Sequence, residues 1–196
     1  MSFRNQSAFD DPRSLQMARG VDLRPERAIT DAHGHVLAYA QTGGMISPQR
    51  HEVQPGAKLF RFGNLEAGWA RVAGGGWWID DAGFARLFAF AQSHEMSIGM
   101  AMRLLCLVPP EWSKATLLVR ARTTRPLLAW RGLGNSVVIA QGGKTVVRMP
   151  HQNEIGERRL HQLFIPGLGE PGVDAIRVEQ DYPLDEAAGK RGFLYL

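Results

Sequence analysis

Apolar residues follow one pattern up to about residue 108 and another after it. In the first part they come as short runs and one longer stretch of helical character. In the second they come as leucine-rich and β-branched runs of strand length, separated by glycine and proline. Residues 1–30 show little periodicity, with Pro12 and Pro25 among mixed charges, and are expected to form a mobile or loosely docked arm. Residues 31–196 are expected to form a single domain. The segment Asp31 to Gln41 alternates weakly and reads as a strand ending at Gly43-Gly44, with His33 and His35 on one face. Pro55-Gly56 signals a turn, Leu59 to Phe62 a short buried strand, and Trp77 to Ile79 another. Phe84 to Ala91 fits a helix or a strand. Ser93 stands where a helix N-cap would, Glu95 follows in the first turn, and apolar positions from Met96 to Cys106 continue to a stop at Pro109-Pro110. Beyond it, strands are expected at 115–121, 126–130, 136–140, 144–149, 159–166, 175–179 and 193–196, with Arg131 to Asn135 as a turn and Gly142-Gly143 as a hairpin connection. The fold class is α+β, a mostly antiparallel sheet, whole or split, with helices concentrated before residue 108.

Composition narrows this picture. A chain of 196 residues can bury one sizeable core, and 44% hydrophobic with 21% charged residues excludes wholesale disorder. The 23 basic residues outnumber 19 acidic ones and are mostly arginine, which suits bidentate pairing with phosphate or carboxylate. Arg120, Arg122 and Arg125 lie close together, and a nucleic-acid partner is not excluded. The one cysteine, Cys106, sits in an apolar run and reads as a small buried hydrophobe rather than a nucleophile, and no intrachain disulfide can form. Neither a secretory leader nor an uninterrupted membrane-length apolar run is seen, so a cytoplasmic setting, or export without a cleavable signal, is expected, with no membrane partner. His33 and His35 lack further ligands at metal-binding spacing, and no metal is expected.

Candidate chemistry concentrates between Lys58 and Val108. An arginine between two phenylalanines, Phe60-Arg61-Phe62, must be paired, snorkelled or bound to an anion, because an isolated charge in an apolar layer is costly. Gly74 to Gly76 allow close backbone approach, and Trp77-Trp78 supply flat apolar surface beside it. These features together suggest a cleft. Gly132-Leu133-Gly134 lacks the third glycine of a dinucleotide fingerprint, and Gly143-Lys144-Thr145 lacks the spacing of a phosphate-binding loop. Nucleophile-elbow and zinc-protease motifs are missing as well.

Leu59-Phe60-Arg61, Gly75-Gly76-Trp77-Trp78 and the segment Phe88 to Met102 resemble the ADP-ribosyltransferase-like folds, including the RES-domain NAD-degrading toxins, over residues 58–105. The resemblance implies NAD as substrate, with Arg61, Gly76, Trp77 and Ser93 in its binding site and Arg61 on the pyrophosphate. It implies a catalytic position just before a late strand, where either Glu157 or Gln162 falls. A protein acceptor or an immunity protein would be the partner. The chain departs from the RES pattern near Met100, where a glutamate is expected, and Gln162 at the late-strand position would put transfer chemistry in doubt. A rival reading from another class is a non-enzymatic module for a protein partner or nucleic acid.

Overall fold

The structure, a computed structural model, describes residues 2–39, 41–141 and 144–184. Two short helices open the chain, α1 (Gln6–Asp10) and α2 (Pro12–Ala18), followed by a small hairpin of β1 (Ile29–Thr30) and β2 (Val36–Ala38). Then come β3 (Met45–Val53), β4 (Lys58–Gly63), α3 (Trp69–Ala73), β5 (Trp77–Asp80), α4 (Asp81–Ser93) and α5 (Ile98–Cys106). The second half is β6 (Leu117–Thr123), β7 (Leu127–Gly134), β8 (Val137–Gln141), β9 (Lys144–Met149), β10 (His161–Phe164) and β11 (Ile176–Pro183). The protein is thus α+β, and every described α-helix precedes residue 108, as the periodicity predicts.

Seven strands form one sheet in the order β11-β6-β4-β5-β10-β7-β3, with every neighbouring pair antiparallel. The pairs β1-β2 and β8-β9 stand apart from it. Both faces of the central strands are covered, because successive residues of a strand point to opposite sides. Leu59, Trp78, Val119 and Leu163 pack with α3 residues Val72 and Ala73. Phe60, Ile79 and Leu118 pack with Phe84 and Leu87 of α4 and Leu105 of α5. The Phe60 and Phe84 rings stack with centroids 4.0 Å apart.

Several elements differ from the sequence expectation, each for a local reason. The residues from Asp31 to His35 form a turn rather than a strand, because the Asp31 carboxylate accepts from the His33 and His35 amides at 2.8 and 2.9 Å. His33 and His35 are therefore exposed turn residues and share no strand face. Phe84 to Ala91 is helical, started by Asp80, whose side chain accepts from the Gly83 amide at 2.7 Å. Ser93 ends that helix instead of starting the next. The cap of α5 is Ser97, accepting from the Met100 amide at 3.1 Å, and its stop is Leu107 in the left-handed region. Arg131 to Gly134 continue β7, since β3 and β10 pair with them on both sides. β3 itself carries no alternation because it is an edge strand with most positions exposed. The expected strand at 193–196 and the Gly142-Gly143 connection lie outside the described residues.

The first residues, expected as a mobile or loosely docked arm, are tied to the sheet. Asn5 is buried; its amide donates to the Leu128 and Pro166 carbonyls at 2.8 and 2.9 Å and its oxygen accepts from the Leu128 amide at 2.9 Å. Phe9 stacks on Trp130 at 4.5 Å, and the Trp130 indole donates to Ser14 Oγ at 2.7 Å. Farther on, Gly20 and Gly44 pass so closely, both with positive φ, that a Cβ on Gly20 would sit 2.2 Å from the Gly43 carbonyl oxygen. This crossing brings Val21 to Pro25 over the mouth between β4 and β5.

Candidate functional site

The ladder between β4 and β5 consists of two pairs, Leu59 with Asp80 and Phe60 with Ile79. At the next position the strands part, and the Trp77 carbonyl takes the side chain of Arg61, whose Nη1 donates to it at 2.5 Å. A cavity of about 690 Å³ opens there, roofed by Val21 to Pro25 and walled by β4, β5 and the C-terminal end of α5. Its size is that of a small-molecule site. Its wall is mostly apolar and aromatic, with Phe60, Phe62, Trp77, Trp112 and Phe164, and its polar side chains include Asp22, Arg24, Arg61, Asn135 and Gln162.

Arg61 is the least satisfied of these groups. Its Nε is buried with no hydrogen-bond partner, and among the described residues no carboxylate lies within ion-pair distance of it. Burial alone pulls its pKa down to about 10, so it stays charged at neutral pH at a desolvation cost. The loop behind it is built to hold it. A Cβ on Gly75 would lie 2.1 Å from Arg61 Nη2, so only glycine leaves room for the guanidinium. Gly75 is fixed in turn by the Trp78 indole, which donates to its carbonyl at 2.7 Å. The Gly76 carbonyl accepts from the Ile165 amide at 2.7 Å, and a Cβ there would meet the Phe164 ring at 2.8 Å. That approach lets Trp77 lie against Phe164, with centroids 5.1 Å apart.

The residues singled out from sequence divide into two groups. Arg61, Trp77 and Gln162 line the cavity, with Gly76 directly behind the wall. Gln162 donates from Nε2 to the Cys106 carbonyl at 3.1 Å, which fixes its orientation. Ser93 is not on the wall; at the end of α4 its hydroxyl donates to the Phe90 carbonyl at 3.1 Å. Glu157 is also away from the cavity, exposed in a single helical turn with its carboxylate 3.5 Å from His94 Nε2. The arginine group that left a nucleic-acid partner open is partly neutralised: Glu179 pairs with Arg122 at 2.6 Å and Arg120 at 3.4 Å, and Arg122 above all holds its carboxyl below the ordinary range.

Comparison with known proteins adds little to this geometry. No protein family matches the sequence. No curated protein matches it either. Among solved structures, the Rhs1-CT domain, described in complex with its cognate immunity protein RhsI1, is similar at a TM-score of 0.41 and 12% identity, over 71% of this chain and 83% of that one.

Asp22 and Arg24 are wall residues that the sequence reading missed. Asp22 is buried and accepts from Arg24 Nε and Nη2 at 2.7 and 2.5 Å. Among the described residues, Asp22 is the carboxylate on the cavity wall. The alternation Val21-Asp22-Leu23-Arg24 after Gly20 was the available signal, and it corresponds to a single bridge between Val21 and Gln41. Cys106 also lines the cavity, and burial pushes its thiol up to about 12, which leaves it protonated and unreactive. Among the described residues no group of three or more His, Cys, Asp or Glu could hold a metal ion, and no helix is long and apolar enough to cross a membrane. What the wall offers chemically, among the described residues, is a fixed cation without a counter-ion, flat apolar surface beside it, and one carboxylate across the opening.

Proposed function

We propose that the cleft binds NAD, with Arg61 on its diphosphate, and that the protein acts on the nicotinamide–ribose bond as an ADP-ribosyltransferase or NAD glycohydrolase, a chemistry suited to a toxin. The observation that carries this reading is the buried guanidinium of Arg61, without a carboxylate partner among the described residues, at the wall of a cavity of about 690 Å³. A site that keeps a charge desolvated and uncompensated is ready for an anion, because the ligand then supplies the missing counter-charge. Trp77 and Trp112 offer flat surface for the nicotinamide or adenine ring.

The reaction breaks the C–N bond between ribose and nicotinamide. The bonding pair leaves with nicotinamide, which departs neutral, and the ribose acquires positive charge. An acceptor nucleophile or water then bonds to the anomeric carbon and gives up its proton. A carboxylate facing the ribose stabilises that charge. Glu157 lies outside the cavity, so in this proposal the carboxylate is Asp22, positioned by Arg24, while Gln162 contributes a neutral polar group to the wall. Asp22 already paired to Arg24 favours a second reading, a module that binds the dinucleotide without turning it over. Incubation with NAD, followed by chromatographic assay of nicotinamide and a thermal-shift measurement, separates the outcomes. Nicotinamide release with a raised Tm supports catalysis, and a raised Tm alone supports the binding module. No change in either refutes both.

A further inference from the structure

The sheet carries a second cavity on its other side. Gln162 faces the Arg61 cleft, so its neighbour His161, and Arg131 beside Leu163 on the paired strand, point the opposite way. There they line a cavity of about 300 Å³ together with Ser47, Arg50 and His51 of β3. The cavity exists because β3 is irregular at this point. Its register with β7 skips between Ile46 and Gln49, and Ser47 adopts a left-handed φ of 46°. Such a conformation is costly for a residue with a side chain and gathers at ligand sites.

We propose that this cavity binds a phosphate monoester dianion, with the Arg131 guanidinium and the imidazoles of His51 and His161 as its donors. Arg131 Nε is buried without a hydrogen-bond partner. Its ion-pair neighbour, Asp80, stays 3.9 Å away and spends its other oxygen on the Gly83 amide that starts α4. The two imidazoles are held below their ordinary range, in both cases by burial first and by Arg131 second. His51 also faces Asp80 and Glu52, and His161 faces Arg159, Asp80 and Arg86. Glu52 is engaged by Arg50 at 3.0 Å. At neutral pH the imidazoles are therefore uncharged, and Arg131 with the nearby Arg86 and Arg159 makes the field around the cavity positive. A dianion beside Arg131 reverses that field: it favours the imidazolium form of both histidines and takes up protons as it binds. The volume leaves room for the sugar or alcohol that carries the phosphate.

This inference does not depend on NAD binding at Arg61, and its test keeps the two apart. The imidazole resonances of His51 and His161 are followed by NMR at fixed neutral pH while inorganic phosphate, and separately a sugar phosphate, is added to the full chain. The expected result is a saturable movement of both resonances toward their imidazolium positions, unchanged in Arg61→Met. It weakens about tenfold or more in Arg131→Gln, through loss of a charge-assisted donor. His51→Gln serves as a second variant, in which the His161 response to phosphate weakens. The proposal is overturned if neither resonance moves, if both drift linearly without saturating, or if folded Arg131→Gln or His51→Gln responds like the parent.

Discussion

Replacing Arg61 by methionine distinguishes a ligand-binding arginine from a structural one, because the two roles predict opposite changes in stability. Burial lowers the guanidinium pKa to about 10 from its higher ordinary value, and at ~1.36 kcal/mol per pH unit the charged form carries a penalty of about 3 kcal/mol in the folded state. The folded-state pKa is the lower one, so this penalty is fully present below pH ~10 and is relieved only as pH rises from there toward the ordinary guanidinium value; it applies in full at neutral pH. Against it stands one charge-assisted bond, from Nη1 to the Trp77 carbonyl, worth about 1.5–3 kcal/mol. The difference leaves Arg61→Met between neutral and about 2 kcal/mol more stable, since the thioether chain fills much of the same apolar space. For a domain of this size that is a Tm unchanged or raised by up to roughly 8 °C. An arginine serving a buried ion pair would instead cost about 3–5 kcal/mol on removal, a drop of roughly 6–20 °C. Thermal unfolding of parent and variant, with and without NAD, reads both quantities. At about 100 times Kd the parent gains about 2.7 kcal/mol, or roughly 5–11 °C, and the variant gains nothing. A variant that loses stability on the ion-pair scale, or that still responds to NAD, refutes the reasoning.

Four further outcomes follow from the same contacts. Gly75→Ala places a methyl group where Arg61 Nη2 now lies, 2.1 Å from the added carbon, so NAD affinity measured by calorimetry falls about tenfold or more with little change in Tm. Asp22→Asn slows nicotinamide release by about a hundredfold or more if the carboxylate stabilises the ribose cation, whereas Glu157→Gln leaves the rate within about twofold. Asn5→Ala removes three buried hydrogen bonds to the Leu128 and Pro166 backbone and lowers stability by about 2–4 kcal/mol, a Tm decrease of roughly 4–16 °C. With its pKa pushed up to about 12, Cys106 stays protonated in the folded protein although it lines the cavity, so a thiol reagent at mildly alkaline pH labels it far more slowly than in denatured protein; equal rates would show the thiol to be unperturbed.

Periodicity and local propensity alone determined the class of the fold, since the leucine-rich and β-branched runs after residue 108 have the length and composition of strands and the repeat from Met96 to Cys106 before it has the spacing of a helix. The isolation of Arg61 between two phenylalanines was also visible in the linear chain, because the cost of burying a charge does not depend on where its partner lies. Whether a partner existed was decided by the tertiary structure. Only there do β4 and β5 part after two residue pairs, leaving the guanidinium on a carbonyl and beside a cavity. The same holds for Asp22 and Arg24, which lie some forty residues before Arg61 in a stretch that reads as an arm. They reach the cleft because Gly20 and Gly44 permit two backbones to cross at a distance no side chain would allow. Glu157 and Ser93 had suitable chemistry and spacing, but the sequence could not show that one would sit in an exposed turn and the other at the far end of a helix. Helix start signals and acidic loops are local features, whereas a site is assembled from residues far apart in the chain by the order in which strands pair.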